Sequence, residues 1–439
     1  MKRLFFINIL LIPATLFAQD STVVKIDQLI NAYVKLGKFN GTALVARHDQ
    51  ILLKNGYGFR NVDKQLPNDP QTIFQIASVT KTFTSATVLK LVQSRKLSLT
   101  DKLSNWYPTF PNADKITIEN LLSHTSGIYD YVREDTVTHL NTEAKMMAFL
   151  AKKPLDFQPG TDWRYSNSGY SILGFIIAKE TGESYYQAVR QAIFKPLEMN
   201  HSGFDFEHLS DAEKAIGYGN DQKTLATFAD SSTVFAAGAI YSTVDDMYRW
   251  HQGLQSYQVV SKPLLDRATT PFKKNYGYGW IIDSVNHRKM VYHSGNINGF
   301  SSLFLRIPED DICIVLLNNM EGTELETIAR KVLDILYHLP YSIPKKKVAI
   351  TLADEILERY TGTYEIADIH LTIEVSLQSH QLIAHAVNGP TFPLAPASRN
   401  LFFIEGSPAE IEFVINGSGK AEKLILNQND QKKEGLKIK

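Results

Sequence analysis

Apolar and polar positions alternate with different periods along the chain. Residues 41–58 (GTALVARHDQILLKNGYG) contain two apolar segments separated by the polar residues 47–50, which predicts a β-hairpin. In the region that follows, apolar residues recur at three- and four-residue steps, which predicts helices with one buried face. One such face comprises Val79, Phe83, Ala86, Leu89 and Val92.

Strand-like patterns return after about residue 276, in YGYGWIIDSV, RKMVYHSG, FSSLFLRIP and DICIVLLNN. A helical pattern, ELETIARKVLDILYHL, follows them. Because strands lie at both ends of a helical region, the N-terminal hairpin and the later strands are expected to complete one sheet packed against helices. Residues 19–337 are therefore interpreted as one α/β unit.

The last part of the chain has a different pattern. Residues 338–350 include PYSIPKKKVAI, which is rich in proline and lysine and has no period, and they are interpreted as a linker. Residues 351–439 contain the short alternating segments HLTIEVSL, QLIAHAV, NLFFIEG, AEIEFVI and EKLILN. These segments predict a small antiparallel barrel or sandwich.

The N-terminus predicts export. Residues 1–18 carry Lys2 and Arg3, followed by an apolar run that ends at Ala18, which is the pattern of a secretory signal peptide. The run is shorter than the about 20 residues of a spanning helix, and no cysteine beside the cleavage site offers a lipid anchor. We therefore expect a periplasmic or secreted protein without a stable membrane anchor.

Composition narrows the possible partners. Lys and Arg total 46 and Asp and Glu total 46, so bulk electrostatics favours no nucleic-acid partner. Cys313 is the single cysteine, which excludes an internal disulfide. It lies in the apolar run ICIVLL, where we expect a buried, inert thiol rather than a nucleophile.

The first candidate for chemistry is the pattern Ser-x-x-Lys, which occurs at Ser78/Lys81 and at Ser342/Lys345. The second copy contains a proline and lies in the predicted linker, where nothing fixes both side chains on one face. In the first copy a predicted helix would bring the two Cβ atoms to about 5–6 Å, which would let the lysine amine take the hydroxyl proton. The alternative is a helix N-cap at Ser78 beside a solvated lysine.

Two further elements carry polar side chains. Tyr165-Ser166-Asn167 stands between a Pro-Gly turn and an apolar helix, so its side chains could project from a loop into a cleft. His293-Ser294-Gly295 lies on a predicted strand, where glycine would allow a ligand to approach the backbone closely. Each motif also has a structural interpretation when it is considered alone. Tyr165 would be an amphipathic core residue, Asn167 a helix cap and His293 a structural histidine. The 12 histidines show no metal-ligand spacing, which argues against a metal site. The function expected below needs neither a metal nor an organic cofactor.

Together, the motifs SVTK, YSN and HSG follow the order and approximate spacing of the active-site motifs of one family. The chain resembles class C β-lactamase-like serine hydrolases, which are related to penicillin-binding proteins and to D-specific peptidases and esterases. The segments LLSHTSGI (121–128), FKPLEMNHSGF (194–204) and AAGAIYSTVDDMYRW (236–250) are similar to further family signatures. The resemblance covers about residues 21–337, and it implies an antiparallel sheet packed against a helical cluster, an α/β (α+β) fold.

The resemblance implies a role for each matching residue. Ser78 would be the acylated nucleophile and Lys81 its proton acceptor. Tyr165 would share the general-base and general-acid work, and Asn167 would hold an amide or carbonyl of the substrate.

The HSG strand would complete the site. By the same resemblance, the backbone N–H groups of Ser78 and of Asn296, the residue after Gly295, would form the oxyanion hole. His293 would lie beside the substrate. The β-lactamases and carboxypeptidases of the family commonly have lysine at that position, and histidine is mostly neutral near pH 7. This departure weakens a penicillinase assignment.

The C-terminal unit begins with LERYTGTYE and resembles the lipocalin-like barrel found in some of these hydrolases. Such a barrel can hold an apolar ligand, or it can be a packed unit that shields the cleft or mediates association.

The expected function is an exported serine hydrolase that acts through an acyl-enzyme on Ser78 and cleaves an amide or ester, such as a D-amino-acid peptide, a peptidoglycan-related peptide or a small ester. One alternative is a β-lactamase or D-Ala-D-Ala carboxypeptidase. Another is a catalytically silent protein that keeps the fold to bind peptidoglycan fragments or apolar ligands. The partner is a small-molecule or peptide substrate, and the sequence leaves the oligomeric state open.

Overall fold

The computed structural model describes residues 15–134, 140–227, 231–405, 407, 409–428 and 431–439. The first 14 residues of the predicted signal peptide lie outside the described residues. The chain divides after Pro344 into two compact units, a larger N-terminal unit and a C-terminal unit that begins at Lys345.

The larger unit is built on a six-stranded sheet. Its strands are β1 (Gly41–Arg47), β2 (Gln50–Tyr57), β7 (Ile281–Val285), β8 (Arg288–Ile297), β9 (Phe300–Ile307) and β10 (Ile312–Asn318). The strand order is β2-β1-β10-β9-β8-β7, and all neighbours are antiparallel. The predicted hairpin and the predicted union of N-terminal and later strands in one sheet are confirmed.

Within the described residues, two small two-stranded sheets, ten α-helices and several short 3-10 or π-helical segments complete this unit. The short strands are β3 (Phe59–Asn61), β4 (Leu66–Pro67), β5 (Phe74–Gln75) and β6 (Tyr241–Ser242). The helices are α1 (Thr15–Lys35), α2 (Thr80–Gln93), α3 (Ile118–Leu122), α4 (Glu143–Leu150), α5 (Asn167–Thr181), α6 (Tyr185–Val189), α7 (Ser231–Gly238), α8 (Val244–Gln255), α9 (Lys262–Ala268) and α10 (Leu325–Leu336).

The central strand β10 shows how the sheet lies between two apolar layers. Ile312, Ile314 and Leu316 pack on the face covered by α1 and α10, whereas Cys313 and Val315 pack in the helical cluster on the other face. Every residue of β10 is buried, because both faces of the sheet are covered. The expected burial of Cys313 is confirmed, and burial raises the pKa of its thiol, which disfavours the nucleophilic thiolate.

The C-terminal unit contains a short helix, α11 (Asp354–Leu357), and a closed antiparallel barrel of eight strands. The strands are β11 (Gly362–Ile366), β12 (Leu371–Gln378), β13 (Gln381–Ala386), β14 (Thr391–Pro396), β15 (Leu401–Phe403), β16 (Glu410–Ile415), β17 (Ala421–Gln428) and β18 (Gln431–Lys437). Buried side chains fill its interior, among them Tyr364, Leu382, Phe402 and Phe413. The barrel is therefore packed by its own residues, and β11, β14 and β18 are strands that the sequence pattern did not predict.

Candidate active site

Ser78 lies in a short 3-10 helix, Ala77–Val79, that leads directly into α2. The α-helix begins at Thr80 rather than at Ser78, and its cap residue Val79 makes no side-chain capping bond. The interpretation of Ser78 as a helix cap is therefore wrong. Ala77 has φ 46°, in the left-handed region that non-glycine residues seldom adopt. Backbone strain thus lies immediately before the candidate nucleophile, as at many functional sites.

Lys81 is completely buried and has three polar partners. Its Nζ lies 3.0 Å from Ser78 Oγ, 2.7 Å from Asn167 Oδ1 and 2.8 Å from the carbonyl oxygen of Ala237. An amide oxygen and a backbone carbonyl can only accept hydrogen bonds. A neutral amine would donate its two hydrogens to these oxygens and direct its lone pair at the Ser78 hydroxyl.

The surroundings of Lys81 favour this neutral amine. Burial lowers the pKa of Lys81 from 10.5 to about 7, against the opposing charge of Asp130. Nζ also lies 4.8 Å from the ring centroid of Tyr165 and 5.6 Å from that of Tyr170. These ring faces attract the ammonium and, like Asp130, oppose the effect of burial. With a pKa of about 7, about half of the molecules carry the free base at pH 7, compared with about one in 3,000 for an ordinary lysine.

Asn167 connects Lys81 to a buried acid. Its Oδ1 accepts from Lys81, while its Nδ2 donates to Asp130 Oδ2 at 3.1 Å and its backbone N–H donates to Asp130 Oδ1 at 3.1 Å. These bonds fix the orientation of the amide and leave one Nδ2 hydrogen for another acceptor. Burial raises the pKa of Asp130, although its hydrogen bonds with Asn167 and the charge of Lys81 act in the opposite direction.

Tyr165 precedes α5 and stands beside Ser78 and Lys81. Burial raises the pKa of its phenol, while its interaction with the Ser78 hydroxyl acts in the opposite direction. At neutral pH the side chain is therefore a phenol that can donate or relay a proton. Its ring packs against His124, with 4.3 Å between the ring centroids.

His293 lies on β8 with both ring nitrogens engaged. Nδ1 lies 2.6 Å from the carbonyl oxygen of Ser294, so Nδ1 carries the hydrogen, and Nε2 then accepts from the Tyr276 hydroxyl at 3.0 Å. Burial, followed by the charge of Lys81, lowers the pKa of His293 to about 3. The imidazole is therefore neutral, and neither nitrogen is free to donate to a substrate carboxylate.

Gly295 and Asn296 follow on the same strand. A Cβ at Gly295 would lie 2.3 Å from the carbonyl oxygen of Ile76, so glycine is needed for β8 to approach the 3-10 helix of Ser78. The group that closely approaches Gly295 is thus the backbone of Ile76, whereas the sequence analysis expected a ligand there. Asn296 is exposed, and the pairing of β8 with β7 ends at Tyr292, so this part of β8 has an open edge.

The structure therefore brings together Ser78, Lys81, Tyr165 and Asn167, with the HSG strand alongside. It also adds partners to which the sequence assigned no role, namely Asp130, His124, Tyr276 and the carbonyl of Ala237. His124 and Ala237 lie in segments already similar to family signatures, which is the signal that could have found them.

The second Ser-x-x-Lys pattern forms no such site. Ser342 Oγ instead accepts from Lys331 Nζ at 3.0 Å. Among the described residues, no group of three or more His, Cys, Asp or Glu side chains is arranged to hold a metal ion. In the same part of the chain, no helix is both long enough and apolar enough to cross a membrane.

Residues 26–337 match the sequence model of the family described as Beta-lactamase. The chain belongs to the beta-lactamase family. It is thus a serine hydrolase of the β-lactamase fold, and the resemblance read from its motifs is confirmed. Residues 346–438 of this family member match a second model, described as Domain of unknown function (DUF3471).

Individual relatives agree with this family. Penicillin-binding protein 4* of Bacillus subtilis (strain 168) is 30% identical over 438 residues, which cover 92% of this chain and 96% of that protein. The structure of the octameric penicillin-binding protein homologue from Pyrococcus abyssi aligns with a TM-score of 0.69 and 26% identity over 94% of this chain and 99% of that one. A D-amino acid amidase from Ochrobactrum anthropi SV3 aligns with a TM-score of 0.62 and 22% identity over 73% of this chain and 99% of that one, which is a likeness of fold.

Proposed function

We propose that this beta-lactamase family member is an exported hydrolase that forms and then hydrolyses an acyl-enzyme on Ser78. One observation carries the proposal: the Ser78 hydroxyl is 3.0 Å from a buried lysine amine whose pKa is about 7 and whose two other partners are obligate acceptors. An amine held in this way has its lone pair directed at the serine proton. This is the arrangement of a nucleophile with an adjacent general base.

The reaction then has two steps. In the first, Lys81 takes the Ser78 proton while Oγ attacks the substrate carbonyl, and the Tyr165 phenol gives its proton to the leaving group and is reprotonated from Lys81. The N–H groups of Ser78 and Asn296 stabilise the developing oxyanion. In the second step, water loses a proton to Lys81 and attacks the acyl carbon. The bond between the acyl carbon and Ser78 Oγ then breaks, and Lys81 returns the proton to Oγ, which releases the acid and restores both the Ser78 hydroxyl and the neutral Lys81.

The surroundings of His293 favour substrates without a carboxylate at this position. A lysine there would present a permanent positive charge, whereas His293 is neutral, donates to the carbonyl of Ser294 and accepts from Tyr276. We infer that small esters, amides and D-amino-acid peptides, including peptidoglycan-related peptides, are preferred over β-lactams and D-Ala-D-Ala termini.

A substrate panel tests this proposal. We expect turnover of p-nitrophenyl acetate and D-alanine p-nitroanilide, slower turnover of a chromogenic cephalosporin, and loss of all three activities in Ser78→Ala. Faster turnover of the cephalosporin would contradict the proposed substrate class. Activity retained by Ser78→Ala would contradict the acyl-enzyme.

We propose export because residues 1–18 have the pattern of a secretory signal peptide. Helix α1 begins at Thr15 and runs through position 18, so cleavage there would leave residues 19–35 as its remainder. Intact-mass measurement of the protein recovered from the periplasm or medium should give the mass of a chain that begins at Gln19. A full-length chain found only in the cytoplasm would contradict export.

A further inference from the structure

His124 contacts Tyr165 and both of its neighbours along the chain. Its carbonyl oxygen accepts from the backbone N–H of Arg164 at 3.1 Å, and its ring Nδ1 accepts from the backbone N–H of Ser166 at 3.2 Å. Its ring also packs on the Tyr165 ring, with 4.3 Å between centroids and 39° between planes. One residue thus binds the backbone N–H groups of the residues before and after Tyr165 and packs on one face of its side chain.

The protonation state of His124 fits this arrangement. Burial, followed by the charge of Lys81, lowers the pKa of His124 well below 6.5, so the ring is neutral. Because Nδ1 accepts from Ser166, the hydrogen is on Nε2, and Nε2 has no hydrogen-bond partner among the described residues. A buried donor without a partner costs free energy, so Nε2 does not explain why a histidine is present. The Nδ1 acceptor and the flat ring explain why a histidine is present.

The backbone around His124 is also held in place. His124 has φ 60°, in the left-handed region. The neighbouring segment is anchored to the loop that leads to Tyr165, because Gly160 N–H donates to the Thr125 carbonyl and Asp156 N–H donates to the Gly127 carbonyl, each at 2.8 Å. The backbone of residues 124–127 therefore holds this loop in place.

We propose that His124 is a positioning residue for Tyr165: its Nδ1 and its ring hold the phenol where it can give a proton to the leaving group and take one from Lys81. The inference rests on the proposed function, in which Tyr165 carries that proton. His124 itself transfers no proton in this role. A displacement of a catalytic group by about 1 Å can reduce a rate by about a hundredfold.

The test is a double-mutant cycle on kcat/KM for D-alanine p-nitroanilide, whose amide nitrogen must gain a proton to leave, with circular dichroism to check that each variant is folded. His124→Phe keeps a flat ring and removes the Nδ1 acceptor. It should lower kcat/KM at least about tenfold when residue 165 is tyrosine, and less than about twofold in the Tyr165→Phe background. An equal loss in both backgrounds would show a general structural effect and overturn the inference.

His124→Asn provides a second variant that is expected to fold, because asparagine tolerates the left-handed region and its Oδ1 can replace Nδ1 as acceptor. Its kcat/KM should lie between those of wild type and His124→Phe, again with no further loss in the Tyr165→Phe background. A kcat/KM at or below that of His124→Phe in a folded His124→Asn protein would overturn the role of the acceptor. If wild type does not cleave the anilide, the proposed function fails, and the inference fails with it. If wild type cleaves it and Tyr165→Phe is as fast as wild type, Tyr165 does not carry the proton and the inference alone fails.

Discussion

Replacing Asp130 by asparagine should move the pH dependence of acylation to lower pH. The Asp130 carboxylate and Lys81 Nζ contact opposite ends of the Asn167 amide, which places the two charges roughly 7 Å apart. At an effective dielectric constant of about 20, this attraction is worth about 2 kcal/mol. Because the charge of Asp130 raises the pKa of Lys81, its removal should lower that pKa, and about 2 kcal/mol corresponds to a shift of about 1.5 pH units.

The direction of the pH dependence follows from the titration of Lys81, and the two histidines near it titrate at lower pH. In wild type the rate of Ser78 modification should rise about tenfold per pH unit below pH 7 and level off above it, since only the neutral amine accepts the proton. His293 has a pKa of about 3, and the pKa of His124 is also far below its ordinary value, so neither histidine should shape this rise.

The assay is the second-order rate constant for fluorophosphonate labelling between pH 4.5 and 9, measured for wild type and Asp130→Asn. The midpoint should fall by about 1.5 pH units, and the plateau should also fall somewhat, because a less basic amine is a weaker general base. A midpoint that stays at pH 7 or moves upward would refute the assignment of Lys81 as the group that titrates. A wild-type labelling rate that does not change from pH 5 to 9 would also refute this assignment of Lys81.

Three further predictions concern substrate preference, strand packing and stability. His293→Lys should raise kcat/KM for carboxylate-bearing esters relative to their neutral counterparts by at least about tenfold, because it adds a permanent positive charge; an unchanged ratio in paired assays would count against this. Gly295→Ala should slow Ser78 labelling at least about tenfold, because its Cβ would lie 2.3 Å from the Ile76 carbonyl oxygen; a normal rate would show that β8 can shift without cost. Acid should destabilise the fold through His251, which is buried and neutral, with a pKa lowered by burial to about 4. Between pH 6.5 and 4 the unfolded state binds the extra proton, so stability is lost as the pH falls. Urea unfolding should show that wild type loses about 3 kcal/mol more than His251→Asn between pH 8 and pH 4, and an equal loss in both would contradict the assignment.

The sequence predicted the parts of the fold that have a local period. The β1–β2 hairpin and the helix that carries Lys81 follow from residue spacing alone. Helix α1 was missed although its apolar residues Ile26, Leu29, Ile30 and Tyr33 carry the expected spacing. Strand β18, QKKEGLK, could not be found in this way, because its place in the barrel comes from pairing with β11 and β17 rather than from an apolar face.

In the site, the motifs identified the candidate residues but not the contacts that set their chemistry. Asp130 acts through Asn167, which lies 37 positions further along the chain, and a single acid in a loop carries no local signal. The neutrality of His293 was expected from its residue type, but its cause is burial, and the Ser294 carbonyl fixes its tautomer. Such effects depend on long-range packing and become visible only when the fold is assembled.

The central claim is that Ser78 is activated by Lys81, and intact-mass spectrometry after exposure to a fluorophosphonate tests it most directly. Wild type should gain one adduct that maps to Ser78. Ser78→Ala should gain none, and Ser342→Ala, which changes the serine of the second Ser-x-x-Lys pattern, should label like wild type. An adduct that persists in Ser78→Ala, or no adduct on folded wild-type protein, would contradict the claim.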